Sequence, residues 1–176
     1  MADRLRNAGQ RSIEVLSVRP DLAAITTTAQ ARINDGTVCT VSVGDHALTL
    51  DLPHGAGGLD TGPSPSETLA AALAACLAQG YMAKAALVGA DLTAIEVKVE
   101  GDFDARGMYG IDPEIPSGFL RFRYEVVVES PESDELIAEI HETMVGLSPL
   151  LDDLTRSLKI DGTWRRSSDS EPITRP

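Results

Sequence analysis

The sequence predicts an α+β fold in which antiparallel sheets surround a central buried helix. The segments "AIEVKVEGDF" and "FLRFRYEVVVES" alternate apolar and polar residues, which is typical of strands with one buried face. Between the predicted sheets, "PSETLAAALAACLAQGYMAKAALV" is rich in alanine and apolar on most sides, which favours a helix covered all round. Short turn signals between the first strands favour antiparallel pairing.

Three strands are predicted before the helix, in "AAITTTAQARI", "TVCTVSV" and "HALTLDL". The turn signals Asn34-Asp35-Gly36 and Gly44-Asp45 separate them and indicate a meander of two hairpins. The loop "PHGAGGLDTG" then ends the sheet. Asp60 stands where a dinucleotide-binding motif would have its third glycine, so we expect no nucleotide cofactor.

The central helix has a clear start signal. Ser64-Pro65-Ser66-Glu67 forms a capping box with proline at the first helical position, so the helix is predicted from Pro65 to Gly89. Cys76 lies on its apolar stripe. A chain of this size has difficulty covering a helix that is apolar on two sides, which suggests a homodimer.

The second half repeats the pattern of strands followed by helix. Strands are predicted from Ala94 and from Phe119, joined by the long loop "DARGMYGIDPEIPSG". A helix from Ser133 to Val145 is predicted to stop at Gly146, and Ser148 and Pro149 are predicted to start another. The segment "LKIDGTW" is predicted to close the sheet as a short strand.

Composition excludes several classes of function. With 15 Lys plus Arg against 27 Asp plus Glu, the net charge of −12 repels nucleic acids and anionic lipids. No secretory signal is recognisable and no apolar run is expected to span a bilayer, so we expect a cytoplasmic protein and no membrane partner. Two cysteines without CxxC spacing and three scattered histidines predict neither a metal site nor a disulfide framework.

Several motifs together resemble the OsmC/Ohr family, specifically its OsmC-like branch. They are "GPSPSETLAAALAACL", "DARGMYG" and "GLSPLLDDL", in that order along the chain. The resemblance runs from about Ala29 to Trp164. We therefore place an OsmC-like domain at residues 23–164, between an irregular amino-terminal arm of residues 1–22 and a polar, disordered tail of residues 165–176.

The resemblance implies a two-layer α+β subunit that forms an intertwined homodimer, with active sites at the subunit interface. It also implies a peroxidatic cysteine on the central helix, which Cys76 matches. In such enzymes the thiolate reduces organic hydroperoxides or hydrogen peroxide and becomes a sulfenic acid. A second cysteine resolves that acid to a disulfide, while an arginine from the first sheet and a glutamate near the helix start assist.

This sequence departs from the family pattern at three positions. Ser148 stands where the resolving cysteine would be, so an external thiol would have to reduce Cys76. The family glutamate falls at Ser66, and Glu67 is the nearest candidate, although it lies about 180° from Cys76 around the helix and also fits the capping box. Arg32 is the first candidate for the arginine and Arg106 the second.

Alternatives to peroxidase chemistry remain open at this point. Cys76 also fits a small apolar core residue, as free cysteines often are. The fold could then bind a small apolar ligand without catalysis or serve as a structural dimer. Cys39 is expected to be an ordinary strand residue, and His141 a surface residue of the helix that contains it.

Overall fold

The structure is a computed structural model that describes residues 2–167, 173 and 174. It confirms the α+β class, with two main antiparallel sheets and a set of helices, of which the longest packs against the second sheet. The elements that position the site are a three-stranded sheet, a 24-residue helix, a two-stranded sheet and a pair of consecutive helices.

The first sheet is the predicted meander. Strands β1 (Ala29–Ile33), β2 (Cys39–Val43) and β3 (His46–Leu50) pair antiparallel in the order β1-β2-β3. Both turns contain a glycine with positive φ, Gly36 and Gly44, each at 57°. Glycine adopts this conformation without the steric cost that other residues incur, which explains why the turn signals identified the hairpins.

Helix α2 (Pro65–Val88) begins and ends almost as predicted. The Ser64 hydroxyl accepts a hydrogen bond from the Glu67 backbone N–H, and the Glu67 carboxylate accepts from the Ser64 backbone N–H. Gly89, in the left-handed conformation, caps the other end. The helix packs against β4, α4, α5 and the amino-terminal helix, and its fully buried residues are Leu73, Leu77, Tyr81, Ala85 and Ala86.

The second sheet consists of β4 (Ala94–Phe103) and β5 (Phe119–Glu129), paired antiparallel along their length. As predicted, Ile95, Val97 and Val99 are half-buried while the charged residues between them are exposed. This face covers α2 and α4, where Tyr81 and Ile140 belong to the central core cluster. The long loop between the strands contains one short helix, α3 (Ala105–Met108).

The amino-terminal segment is not irregular, contrary to expectation. Residues Ala2–Val18 form helix α1, followed by a single 3-10 turn at Pro20–Leu22. The Arg6 Nε–H donates to the carbonyl of Ala86 at 2.8 Å, and Gly9 packs closely on Leu87. No residue of α1 is fully buried, and charged and polar residues outnumber the apolar ones in this segment, which is why no helix was predicted there.

The carboxyl-terminal half differs from the prediction in two places. Helix α4 (Asp134–Leu147) does not stop at Gly146 but continues to Leu147, where the extended backbone of Ser148 ends it and begins α5 (Pro149–Thr155). The predicted closing strand is wrong as well, since β6 (Thr163–Trp164) pairs with β7 (Ile173–Thr174) and not with either main sheet. The rest of the tail predicted to be disordered, residues 168–172, 175 and 176, lies outside the described residues.

Helix α2 is also more apolar than expected. Its length and a mean hydropathy of 1.4 over its most apolar window would suit a membrane span, contrary to the expectation that no run is long enough. Core helices of folded proteins share these properties. Three helices and a strand cover one side of α2, where its five buried residues lie, whereas Leu69 and Val88 stay exposed, so within one chain the helix is not covered all round as predicted.

Residues 51–63, which we call the glycine loop, join β3 to α2 through two close backbone approaches. A β-carbon at Gly58 would lie 1.8 Å from the carbonyl oxygen of Leu52, and one at Gly62 would lie 2.3 Å from that of Thr49. No side chain fits at either position. By contrast, the space around Gly55 in the same loop is open.

We expect Gly58→Ala to destabilise the fold by about 2 kcal/mol, because the added methyl group meets backbone that cannot move aside cheaply. Gly55→Ala is the matched control and should change stability by less than about 0.5 kcal/mol. Urea denaturation monitored by circular dichroism measures both. Equal stability of the two variants would show that the glycine loop does not pack as described.

Candidate functional site

Cys76 and Ser148 form the contact at the centre of the candidate site. The Sγ atom of Cys76, on α2, lies 3.6 Å from the Oγ atom of Ser148, at the junction of α4 and α5. Cys76 is half-buried, whereas Ser148 is only 1% exposed. The Cys76 residue is therefore partly exposed, and its sulfur faces a buried hydroxyl.

The position of Ser148 is fixed by its role as a helix cap. Its hydroxyl accepts a hydrogen bond from the Leu151 backbone N–H at 3.4 Å, and Pro149 occupies the first position of α5. This confirms the predicted cap. Because a hydroxyl accepts and donates at once, Ser148 can cap α5 and still donate its proton to the sulfur of Cys76.

Cys39 is placed as an ordinary strand residue. It begins β2, is half-buried, and pairs with Ile33 on one side and Leu50 on the other. Both cysteines are free, and no bond between them occurs in the described part of the chain. The residue beside Cys76 is thus a serine and not a second thiol.

The Glu67 carboxylate is occupied by the capping box. Its Oε2 accepts from the backbone N–H and the hydroxyl of Ser64, each at 2.7 Å. These two donors, the backbone N–H first, hold the pKa of Glu67 below its usual range. Among the described residues, no hydrogen bond joins Glu67 to Cys76.

Neither candidate arginine contacts Cys76 within the described part of one chain. Arg32, on β1, donates from Nε to the Asn34 side-chain oxygen at 2.8 Å. It lines a pocket of about 440 Å³ between the β1–β2 turn and the glycine loop, which we call the Arg32 pocket. Arg106 pairs with Asp104 at 2.6 Å, which lowers the pKa of Asp104.

Asp51 is a residue that the sequence analysis missed. Its side chain is 2% exposed and accepts five hydrogen bonds, from the hydroxyls of Thr37 and Thr61 and from the backbone N–H groups of Leu52, Leu59 and Thr61. The Thr37 hydroxyl is the main reason why its pKa lies well below the usual range. The ionised form therefore stabilises the fold above the ordinary titration range of aspartate, and this contribution is lost as the pH falls.

A second polar pair also escaped the sequence analysis. His141 is exposed, as expected, but its Nδ1 pairs with the hydroxyl of Tyr81, whose side chain is 1% exposed. Burial raises the pKa of Tyr81. Both residues line a groove of about 370 Å³ between α4 and β5.

No cluster of metal-ligating side chains occurs among the described residues.

The fold and the Cys76 contact together define a class: α+β proteins with antiparallel sheets and a free thiol on a long central helix. The chain belongs to the OsmC-like protein family, whose model matches residues 57–162. An uncharacterized protein of Haloferax volcanii is 31% identical over 130 residues, which cover 73% of this chain and 87% of that protein.

Solved structures share the fold. An OsmC-like protein from Mycoplasma pneumoniae superposes with a TM-score of 0.64 at 19% identity, covering 74% of this chain and 87% of that chain. An organic hydroperoxide resistance protein OsmC from Legionella pneumophila superposes with a TM-score of 0.55 at 22% identity, covering 74% and 90%.

We expect Ser148→Cys to form a disulfide with Cys76, because the new sulfur would replace an oxygen that lies 3.6 Å from the Cys76 sulfur. The experiment uses a Cys39→Ser background, so that only one intramolecular pair is possible. One equivalent of cumene hydroperoxide should produce a mass loss of two hydrogens and a peptide pair joining residues 76 and 148. Accumulation of sulfenic or sulfinic acid without the joined peptides would contradict the placement of Ser148.

Proposed function

We propose that the protein is a one-cysteine thiol peroxidase, in which Cys76 reduces organic hydroperoxides or hydrogen peroxide and an external thiol restores it. The observation that carries the proposal is the 3.6 Å contact between the Cys76 sulfur and the Ser148 hydroxyl. A half-buried thiol next to a proton donor suits thiolate chemistry, and no second thiol stands there to form a disulfide. Membership of a family that includes hydroperoxide resistance proteins supports the same reaction.

In the first step the Cys76 thiolate attacks one oxygen of the peroxide. The O–O bond breaks: the sulfur takes the terminal OH group and is oxidised by two electrons to sulfenic acid, while the other oxygen takes a proton from water and leaves as an alcohol, or as water when the substrate is hydrogen peroxide. Ser148 supports this step because its hydroxyl can donate a charge-assisted hydrogen bond to the thiolate. Its burial keeps that donor in place.

In the second step an external thiol attacks the sulfenic sulfur. Water leaves and a mixed disulfide forms, which a second thiol then cleaves to regenerate Cys76 and release an external disulfide. Cys39 is held in β2 between its two neighbouring strands, which argues against it as the internal resolving group. The need for reducing thiols suits a cytoplasmic location.

The thiolate also needs a cation, because a free cysteine titrates near pH 8.5. Arg32 is the candidate, and we propose that a homodimer brings it to a Cys76 site. The exposed apolar side chains on both main sheets support a dimer, since a subunit interface would remove them from water. They include Ile33, Leu48, Phe103, Leu120 and Val127, each about half exposed. We assign Glu67 to the capping box.

A second candidate function is binding of a small apolar molecule while Cys76 stays inert. The groove between α4 and β5 favours it, because Val126, Val128 and Ile137 line its floor. In that case the thiol would be a packing residue of α2. The rate of Cys76 oxidation separates the two candidates.

We expect Cys76 to form sulfenic acid about 100-fold faster or more than a free thiol at pH 7. The measurement is dimedone trapping with mass spectrometry under graded cumene hydroperoxide, in a Cys39→Ser background. Ser148→Ala should slow the reaction about 10-fold, because it removes a hydrogen bond to a charged group. A rate equal to that of N-acetylcysteine would contradict the peroxidase proposal.

The matched control is Ser133→Ala, which removes the cap of α4 but not the donor to Cys76. The Ser133 hydroxyl accepts from the Leu136 backbone N–H at 3.3 Å, in the same way as Ser148 caps α5. Both variants should lose about 1 kcal/mol of stability. Only Ser148→Ala should slow the oxidation of Cys76. Equal oxidation rates in the two variants would show that Ser148 acts only as a helix cap.

A further inference from the structure

The carboxylate of Asp51 joins the two walls of the Arg32 pocket. Thr37 lines this pocket from the β1–β2 turn, and Leu59 lines it from the glycine loop. Asp51 accepts from the Thr37 hydroxyl at 2.6 Å and from the Leu59 backbone N–H at 3.1 Å. One buried side chain thus fixes the distance between the walls.

Only neutral donors hold this carboxylate among the described residues. Two threonine hydroxyls and three backbone N–H groups surround it, and no ion pair includes it. A buried carboxylate is costly unless such donors replace its hydration. Both carboxylate oxygens of Asp51 must act as acceptors. A side-chain amide at this position would therefore place an NH2 group against other N–H groups.

The turn fixed by Asp51 is the one that holds the Arg32 side chain. Arg32 donates from Nε to the side-chain oxygen of Asn34, and Asn34 and Thr37 belong to the same turn between β1 and β2. Arg32 itself is exposed and forms no ion pair among the described residues. The direction of the Arg32 guanidinium therefore depends on the conformation of the β1–β2 turn.

We propose that Asp51 is a positioning residue that sets the place of Arg32 for the reaction of Cys76, an inference that rests on the proposed function above. Asp51 does not touch the reacting atoms. It acts by holding Thr37 against the glycine loop, so that the turn carrying Asn34 presents the guanidinium in one direction. Displacement of a catalytic group by about 1 Å can cost about 100-fold in rate, so a rigid turn is valuable.

The test is a double-mutant cycle with Asp51→Asn and Arg32→Met in the Cys39→Ser background. The readout is the second-order rate constant for Cys76 oxidation by cumene hydroperoxide, followed by dimedone trapping, with the thermal midpoint of each variant recorded. We expect each single variant to be about 10-fold slower or more. The double variant should be within about twofold of Arg32→Met alone, because Asp51 acts through Arg32.

Asp60→Asn is the matched control, since Asp60 lies exposed in the same loop and carries the same charge. Its oxidation rate should equal that of the parent. If Asp51→Asn fails to fold, Thr37→Val replaces it in the cycle, because it removes only the hydroxyl that donates to Asp51.

The outcomes separate this inference from the proposed function. If Arg32→Met slows the oxidation but Asp51→Asn does not, the inference is overturned and the peroxidase proposal stands. If Asp51→Asn slows the reaction by the same factor with and without Arg32, Asp51 acts by some other route and the inference is again overturned. If Arg32→Met has no effect, both the arginine assignment and this inference are wrong. A parent rate no faster than a free thiol contradicts the peroxidase proposal itself.

Discussion

The apolar surface of α2 determines how the other helices and the second sheet pack. This helix of 24 residues is apolar around most of its circumference, so other elements must cover it. Helices α1, α4 and α5 and strand β4 each cover part of that surface. This packing places the N-terminal end of α5 against the middle of α2, so that Ser148 contacts Cys76.

The same contact determines what chemistry the thiol can carry out. A serine hydroxyl can donate a hydrogen bond to a thiolate, but it cannot form a disulfide with the oxidised sulfur as a second cysteine would. In the reaction that we propose, a sulfenic acid on Cys76 would therefore need a thiol from outside the chain, because the side chain beside it is a serine.

The sequence was sufficient for the parts of the fold with local signals. The hairpin glycines, the capping box at Ser64 and the alternating strand from Ala94 each determine a backbone conformation within a few residues. Helix α1 and the carboxylate of Asp51 were missed for the opposite reason. Their roles come from contacts distant in the chain, Arg6 with Ala86 and Asp51 with Thr37, which no short pattern encodes.

The most direct test of the central claim is catalytic turnover with a single thiol. The Cys39→Ser protein is mixed with excess cumene hydroperoxide and glutathione, and the loss of peroxide is followed against time. We expect many equivalents of peroxide to be consumed per Cys76, no intramolecular disulfide, and no activity above background in Cys76→Ser. Peroxide consumption that stops after one equivalent, or that continues without Cys76, would contradict it.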